Sequence, residues 1–299
     1  MSDDLRVVHT TTYHYRSPVE LGPHRLMLRP RDGHDMWVED AFLTIHPEPE
    51  LRWFFDAFGN SVAEATFSMP TDRLEIRSEL LLSRYVGWHI DLHDSTVINS
   101  LPFRYSKAEE IDLLPYLWRK SSRSGPALDR WLETCFSERP ETARNFLIKL
   151  SDAIHDSFDY SARDEMGTHT PSQLIRLGSG TCRDFAYLLI MAARRFGFAA
   201  RFVTGYLQSY NAGEDMVGAG ATHAWTEVFL PDEGWLSLDP TNRIVESAAL
   251  IRVATTREPD QASPVWGSYA GRRNAFKKME IEVTVEVLNN STEFRGQYT

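Results

Sequence analysis

The sequence predicts an α+β protein in which an antiparallel β-sandwich is followed by helices and then by a second group of strands. Short strand-like runs separated by turn residues fill the first hundred positions. Apolar residues at helical spacing dominate positions 128 to 196, and period-two alternation returns after Gly197. Strands and helices that are segregated along a chain in this way are typical of the α+β class.

The composition restricts the kinds of partner that the protein can have. The chain has 299 residues, of which 42% are hydrophobic, so it can build one large domain or two modest ones. Its net charge of −10 argues against nucleic acid or an anionic membrane as partner, because a protein that neutralises phosphates needs a basic face. The N-terminal residues do not resemble a signal peptide, and no run approaches the about 18 apolar residues of a spanning helix.

The cysteine and histidine content argues against a metal site, and no cofactor is expected. Cys135 and Cys182 are too few for a disulfide framework or a thiolate zinc site, and they favour a reducing, cytoplasmic location. His89 and His93, mixed with aspartates, could suggest a metal site. We interpret them as solvated surface residues, because exposed histidine–aspartate mixtures seldom bind metal.

The N-terminal region is predicted to form a sandwich of short strands. Threonine, tyrosine and apolar residues predict strands at 7–15, 26–28, 41–45, 53–55, 62–67 and 74–82. Gly59 and Asn60 suit the hairpin between the fourth and fifth of these strands. Several short strands with regular turn signals are typical of a β-sandwich.

The strand pattern weakens between residues 83 and 102, where we place a domain boundary. This predicts a β-rich domain over 1–95, a second domain over 96–255 and a C-terminal segment over 256–299. Apolar side chains at 279, 281, 283, 285 and 287 alternate with polar ones and predict a half-buried strand. We expect this strand, at 277–289, to complete the N-terminal domain, and we expect the region 252–273 to be irregular.

Helices are predicted in the middle of the chain. Cys135 shares an apolar stripe with Leu128 and Leu132, which favours a structural role for this cysteine. The proline at position 140 is predicted to occupy the first position of the next helix. Thr170 and Gln173 have the spacing of a capping box and predict a short helix that ends near residue 177.

The stretch after this short helix contains a candidate nucleophile. A Gly-Ser-Gly turn at 178–180 precedes Thr181, a predicted N-cap, and Asp184 is placed to reach back to it. Cys182 is then the first residue of an apolar helix that stops at Gly197. The free N–H groups and the dipole at a helix N-terminus stabilise a thiolate, so Cys182 is a candidate for nucleophilic chemistry.

A cysteine nucleophile needs a base and a group that orients the base, and two later strands supply candidates. His223 begins one predicted strand and Asp239 ends the next. A four-residue loop that pairs Leu230 with Trp235 would put them on opposite faces of the hairpin. A three-residue loop that pairs Leu230 with Gly234 would make them diagonal neighbours on one face. A His–Asp pair therefore requires the odd loop or an equivalent bulge.

Four motifs in order resemble the bacterial transglutaminase-like family, whose members are often described as candidate cysteine proteases. They are GTCRDFA at 180–186, ARFVTGY at 200–206, HAWTEV at 223–228 and GWLSLDPT at 234–241, within a block that spans about 158–241. The DAFGN motif at 56–60 and its flanking strands resemble the β-rich N-terminal region that accompanies this domain in bacteria. Thr181 departs mildly from the family pattern, where many relatives carry another small residue.

The resemblance implies a papain-like transglutaminase core, with a helix bundle packed on an antiparallel sheet, and a catalytic triad of Cys182, His223 and Asp239. His223 would take the thiol proton, Asp239 would hold the imidazole, and the backbone N–H of Cys182 would stabilise the oxyanion. Tyr160 is a candidate second oxyanion donor or substrate contact, although it suits ordinary packing as well. Trp225 would shield the site.

The leading functional hypothesis is thiol-dependent acyl chemistry that hydrolyses a peptide, isopeptide or amide bond through a thioester. The expected partner is therefore a peptide or amide substrate. An amine acyltransferase or crosslinking enzyme would use the same three residues, and no calcium-binding loop of the EF-hand type supports calcium dependence. The other class of function is a catalytically silent binding or scaffold module, against which the retention of all three residues argues. The oligomeric state stays open.

Overall fold

The computed structural model describes residues 2–85, 104–118, 125–136, 142–163, 167–209, 216–218, 220–231 and 233–288. Its helices are α1 (Lys107–Asp112), α2 (Leu114–Leu117), α3 (Gly125–Cys135), α4 (Ala143–Ser157), α5 (Pro171–Leu177) and α6 (Cys182–Arg195). The strands before α1 are β1 (Ser2–Leu21), β2 (His24–Leu26), β3 (Met36–His46), β4 (Glu50–Phe55), β5 (Ser61–Thr66) and β6 (Thr71–Tyr85). The later strands are β7 (Asp159–Tyr160), β8 (Ser179–Gly180), β9 (Ala200–Leu207), β10 (His223–Leu230), β11 (Gly234–Asp239), β12 (Ile244–Val245), β13 (Leu250–Thr256), β14 (Val265–Trp266), β15 (Tyr269–Ala270) and β16 (Phe276–Leu288). The fold is α+β, as the segregation of strands and helices predicts.

Two antiparallel sheets form the N-terminal sandwich. One has the order β15-β1-β6-β3, with β16 also paired to β1, and the other has the order β14-β2-β5-β4. In β6, every second residue is buried, and the apolar ones are Leu74, Ile76, Leu80 and Leu82. Period-two burial is what a strand with one face on a core requires. The apolar faces of the two sheets meet in a shared core, which includes Leu26, Ala63, Leu74 and Ile76.

The C-terminal segment adds strands to both sheets of the sandwich. β16 pairs with β1 from Asp4 opposite Leu288 to Tyr15 opposite Phe276. The expectation that 252–273 is irregular is wrong, because β13, β14 and β15 lie in that region. β14 and β15 have two residues each, too few for any alternation to be visible in the sequence. The boundary near residue 95 lies outside the described residues and stays a prediction.

The second half of the chain packs helices on a five-stranded antiparallel sheet of order β12-β11-β10-β9-β13. Helix α6 is central: its apolar residues share one core with those of α4, β9, β10 and β11. Helix α4 begins at Ala143, with Thr142 as its N-cap, so the proline at 140 is not its first residue. No helix in the described part of the chain is long and apolar enough to cross a membrane.

The two halves share contacts that fix them to each other. Tyr206, Ile251 and Val253 lie in one core with side chains of β1, β3 and β6. The DAFGN turn docks on β13, where the Asn60 amide donates to Thr255 O at 2.8 Å and accepts from Thr255 N at 2.9 Å. The family-like turn of the N-terminal region therefore contacts the sheet that carries the candidate site.

Candidate active site

Cys182 lies where the sequence places it, at the first residue of α6. Asp184 reaches back to the start of the helix, and its Oδ2 accepts hydrogen bonds from Thr181 N at 2.8 Å and Thr181 Oγ1 at 3.0 Å. The apolar residues of α6 turn into the core, which fixes the helix and its N-terminus. The Cys182 thiol is nearly buried, with 6% of the residue exposed. A thiolate at this position would face the positive end of the helix dipole.

The Asp184 carboxylate also bonds two residues of the stretch that precedes α5, Arg163 and His169. Its Oδ1 accepts from Arg163 Nη2 at 3.0 Å and from the backbone N–H of His169 at 2.6 Å. Burial opposes ionisation of Asp184, but these donors and Thr181 keep its pKa below the usual range. A buried carboxylate that is fully hydrogen-bonded in this way rigidifies its surroundings.

The register of the β10–β11 hairpin is the one that a His–Asp pair needs. Leu230 pairs with Gly234, so the three-residue loop is confirmed. Gly234 has φ of 83°, a left-handed conformation that favours glycine in a tight turn. Because side chains alternate along a strand, this register puts His223 and Asp239 on one face. The His223 Nε2–H donates to Asp239 Oδ2 at 2.8 Å, and both side chains are fully buried.

Two further donors hold the Asp239 carboxylate. The backbone N–H of Thr241 donates to Oδ1 at 2.9 Å, and the Asn242 Nδ2 donates to Oδ2 at 2.9 Å. Burial raises the pKa of Asp239, but His223, Asn242 and Thr241 together lower it below the usual range. Asp239 is therefore a stable anion whose position is fixed on both oxygens.

The His223 imidazole lies between this anion and the Cys182 thiol. Burial alone would lower the pKa of His223, but the charge and hydrogen bond of Asp239, with Cys182 on the other side, raise it to about 10. Nδ1 makes no hydrogen bond within the described part of the chain. The structure therefore brings Cys182, His223 and Asp239 together, with Nδ1 free to exchange a proton with sulfur.

Tyr160 and Trp225 both lie at the site but in different environments. Tyr160, on β7, is 38% exposed, and burial together with the nearby Cys182 raises its pKa to about 12. Trp225 is buried and lies roughly parallel to the His223 ring, with 6.2 Å between ring centroids. Its Nε1–H has no partner among the described residues. Trp225 thus covers one face of the imidazole.

The other residues considered from the sequence lie elsewhere. Cys135 is half-buried on α3; its thiol donates to Trp131 O at 3.2 Å, and burial raises its pKa. His89 and His93 fall outside the described residues. Within those residues, no group of three His, Cys, Asp or Glu side chains is arranged to hold a metal ion.

Sequence reasoning missed Asn242, which stands three residues after Asp239. Its amide bonds the Asp239 carboxylate and also the backbone of Val217, in a loop distant in sequence. The Asp-Pro-Thr-Asn run carries a weak signal, since asparagine is favoured in turns that follow a strand. Only the tertiary structure brings Val217 next to it.

Family models match two parts of the chain. The model for the bacterial transglutaminase-like N-terminal region matches residues 5–82, and the model for the transglutaminase-like superfamily matches residues 133–240. Together the two matches cover more than half of the chain. Residues 133–240 thus belong to the transglutaminase-like superfamily, and residues 5–82 form a bacterial transglutaminase-like N-terminal region. The resemblance inferred from the four motifs is thus confirmed.

Relatives of similar length are found in mycobacteria. An uncharacterized protein of Mycobacterium tuberculosis is 28% identical over 299 residues, which cover 95% of this chain and 92% of the relative. A shorter match, 35% identical over 74 residues, joins 22% of this chain to 10% of a protein-glutamine gamma-glutamyltransferase of Pseudomonas aeruginosa. This chain is similar in sequence to each of these two proteins.

A solved structure shares the whole fold. The crystal structure of a candidate cysteine protease from Cytophaga hutchinsonii superposes with a TM-score of 0.71 at 19% sequence identity, over 97% of this chain and 92% of the other. At this identity the likeness concerns the fold. It shows that the N-terminal sandwich and the helices packed on a five-stranded sheet occur together in another protein.

Proposed function

We propose that this transglutaminase-like protein is a cysteine hydrolase that cleaves a peptide, isopeptide or amide bond. The observation that carries the proposal is the His223 imidazole, which is bonded to the buried Asp239 at 2.8 Å and lies beside the Cys182 thiol at the start of α6. A nucleophile, a base and a group that orients the base are the minimum for nucleophilic acyl transfer.

Each side chain has a role in the proposed reaction. Cys182 Sγ attacks the acyl carbon as a thiolate, while His223 carries the proton on Nδ1 and gives it to the leaving amine. The carbon–nitrogen bond breaks, and a thioester joins the acyl group to Cys182. Water then attacks the thioester, His223 takes its proton, and the acid and the free thiolate–imidazolium pair are regenerated.

The developing oxyanion needs donors. The backbone N–H of Cys182, at the open end of α6, is the first. The Tyr160 hydroxyl is the second in this proposal: the side chain is partly exposed and close enough to Cys182 to respond to its charge. The pKa of Tyr160, raised to about 12, keeps its hydroxyl protonated and able to donate at neutral pH.

A second candidate function is acyl transfer to an amine, because an amine can replace water as the group that resolves the thioester. The observation in its favour is the similarity to a protein-glutamine gamma-glutamyltransferase of Pseudomonas aeruginosa, which is 35% identical over 74 residues. Products distinguish the two. Hydrolysis gives an acid, whereas transfer gives a new amide whose mass includes the added amine.

The test is a screen of peptide and amide substrates with the wild-type protein, Cys182→Ala and Cys135→Ala. We expect turnover with the wild type and with Cys135→Ala, which removes the other cysteine, and none with Cys182→Ala. Turnover that survives in Cys182→Ala would contradict the proposal. A silent scaffold would show itself if an electrophilic probe labelled Cys182 in the folded protein no faster than in the denatured one.

A further inference from the structure

The backbone of Gly218 lies directly against the reactive edge of the His223 ring. A Cβ atom built on Gly218 would stand 2.7 Å from Nδ1 and 3.4 Å from Cε1 of His223. A Cβ atom essentially never lies within 3.0 Å of a non-bonded heavy atom. Any residue other than glycine at position 218 would therefore push the imidazole ring or the loop away. Gly218 also has φ of 93°, a conformation that other residues rarely take. Position 218 thus requires glycine for two separate reasons.

Asn242 holds the loop that presents Gly218. Its Oδ1 accepts from Val217 N at 2.9 Å, and its Nδ2 donates to Val217 O at 3.1 Å, which mimics one rung of a β-ladder. The same Nδ2 donates to Asp239 Oδ2, the oxygen that accepts from His223. One amide side chain therefore fixes both the Asp239–His223 pair and the loop that touches the other side of the imidazole.

The loop that contains Gly218 also bonds the C-terminal strand β16. The backbone N–H of Val283, on β16, donates to Gly220 O at 3.0 Å. Gly220 has φ of 82° like Gly218, but no atom lies within 4 Å of a Cβ built on it. The loop is thus bonded to β16, a strand of the N-terminal sandwich. Of the two glycines, only Gly218 lies against His223.

We propose that Asn242 is a positioning residue, which presses Gly218 against His223 and thereby keeps Nδ1 directed at the Cys182 thiol. The inference rests on the proposed function, because it concerns the same cysteine–histidine pair. In this arrangement the imidazole cannot tilt away from sulfur, since Asp239 holds Nε2 and the Gly218 backbone blocks the space beside Nδ1. A misplacement of about 1 Å in such a pair can cost about 10²-fold in rate.

The first test compares alanine at three glycines that share a left-handed conformation. Gly218→Ala, Gly220→Ala and Gly234→Ala all carry the same kind of backbone strain, but only the methyl group at 218 meets the histidine. The rate of alkylation of Cys182 by iodoacetamide is measured by mass spectrometry from pH 5 to pH 9. We expect Gly218→Ala to lose about tenfold at pH 6 relative to the other two variants, as a displaced imidazolium no longer stabilises the thiolate. Equal profiles for Gly218→Ala and Gly220→Ala would overturn the proposal.

The second test removes the asparagine and controls for stability. Asn242→Ala is compared with Asn60→Ala, because Asn60, like Asn242, bonds an aspartate and both backbone atoms of one distant residue. We expect the pH profile of Cys182 alkylation to shift in Asn242→Ala and to stay unchanged in Asn60→Ala. Identical profiles in these two variants would overturn the positioning role.

His223→Ala separates the failure of this inference from the failure of the proposed function. If His223→Ala alters the pH profile of Cys182 alkylation but Gly218→Ala and Asn242→Ala do not, His223 activates Cys182. The positioning role proposed for Asn242 is then wrong. If His223→Ala leaves the profile of Cys182 unchanged, the cysteine–histidine pair itself is wrong and both proposals fall. The expected result is that all three variants alter it.

Discussion

Replacement of Asp239 by asparagine should return the His223 imidazole to its neutral form at pH 7. The amide has nearly the same shape, and its oxygen can still accept from Nε2, although its NH2 group cannot replace the oxygen that accepts from Thr241 N. The exchange therefore removes the charge with little change in side-chain volume. Asp239 is the main cause that raises the pKa of His223 to about 10, against the opposing effect of burial. Without that charge, burial dominates, and we expect a pKa below the ordinary 6.5.

The size of the change follows from these values. A fall from about 10 to below 6.5 is a shift of more than three pKa units, or roughly 4 kcal/mol in favour of the neutral ring at 1.36 kcal/mol per unit. The imidazolium would then no longer balance a Cys182 thiolate. In serine proteases the corresponding exchange lowers kcat about 10⁴-fold, and a similar loss is expected once a substrate is known.

The assay is a pH titration of the His223 ring signals by NMR in the wild-type protein, Asp239→Asn and Asp129→Asn. Asp129 is a matched control, since it is a surface carboxylate paired with Arg195 far from the site. We expect the midpoint to lie near 10 in the wild type and Asp129→Asn, and below 6.5 in Asp239→Asn. A wild-type midpoint near 6.5, or one that Asp239→Asn does not move, would refute the electrostatic reasoning.

Two predictions concern the junction between the halves of the molecule, where the buried His9 ring bonds the Tyr206 hydroxyl at 3.0 Å. Burial lowers the pKa of His9 to about 4, so the unfolded chain binds its proton more readily, and stability is lost as the pH falls from 6.5 towards 4. Urea unfolding should show that the wild type loses about 2 kcal/mol more than His9→Gln between pH 7 and pH 4.5, whereas equal losses would contradict this account. Asn60→Ala leaves two backbone groups of Thr255 without partners and should cost about 2 kcal/mol or more of unfolding free energy. Replacement of the exposed Asn274 by alanine should change the unfolding free energy by less than about 0.5 kcal/mol. A similarly small effect of Asn60→Ala would show that the Asn60–Thr255 hydrogen bonds do not stabilise the protein.

The hairpin was predictable because side chains alternate strictly along a strand. The requirement that His223 and Asp239 share one face fixed the parity of the loop, and the observed pairing of Leu230 with Gly234 has that parity. The start of α6 was predictable for a similar reason, since the reach of Asp184 to Thr181 is local in sequence. Helix capping and strand alternation, which depend on residues close in sequence, therefore predict the position of Cys182 and the sheet face of His223.

What could not be predicted depends on residues that are distant in sequence. Asn242 stands in a run that suggests only a turn, and nothing in the sequence links it to Val217. β14 and β15 are two-residue additions whose strand character comes from the neighbours that they meet. β16 is mostly exposed, with Val283 as its buried residue, so its alternation indicated a strand but overstated how much of it is covered. The sequence-based expectations of a cytoplasmic location, a peptide or amide partner and the domain limits stay predictions.

The central claim is that His223 activates Cys182, and the relative alkylation of the two cysteines tests it most directly. Cys182 is buried and Cys135 is half-exposed, so accessibility alone would make Cys135 the faster to react. The account predicts the reverse: at pH 6, iodoacetamide modifies Cys182 at least about tenfold faster than Cys135, and His223→Ala removes most of that advantage. Faster modification of Cys135, or an unchanged rate at Cys182 in His223→Ala, would contradict it.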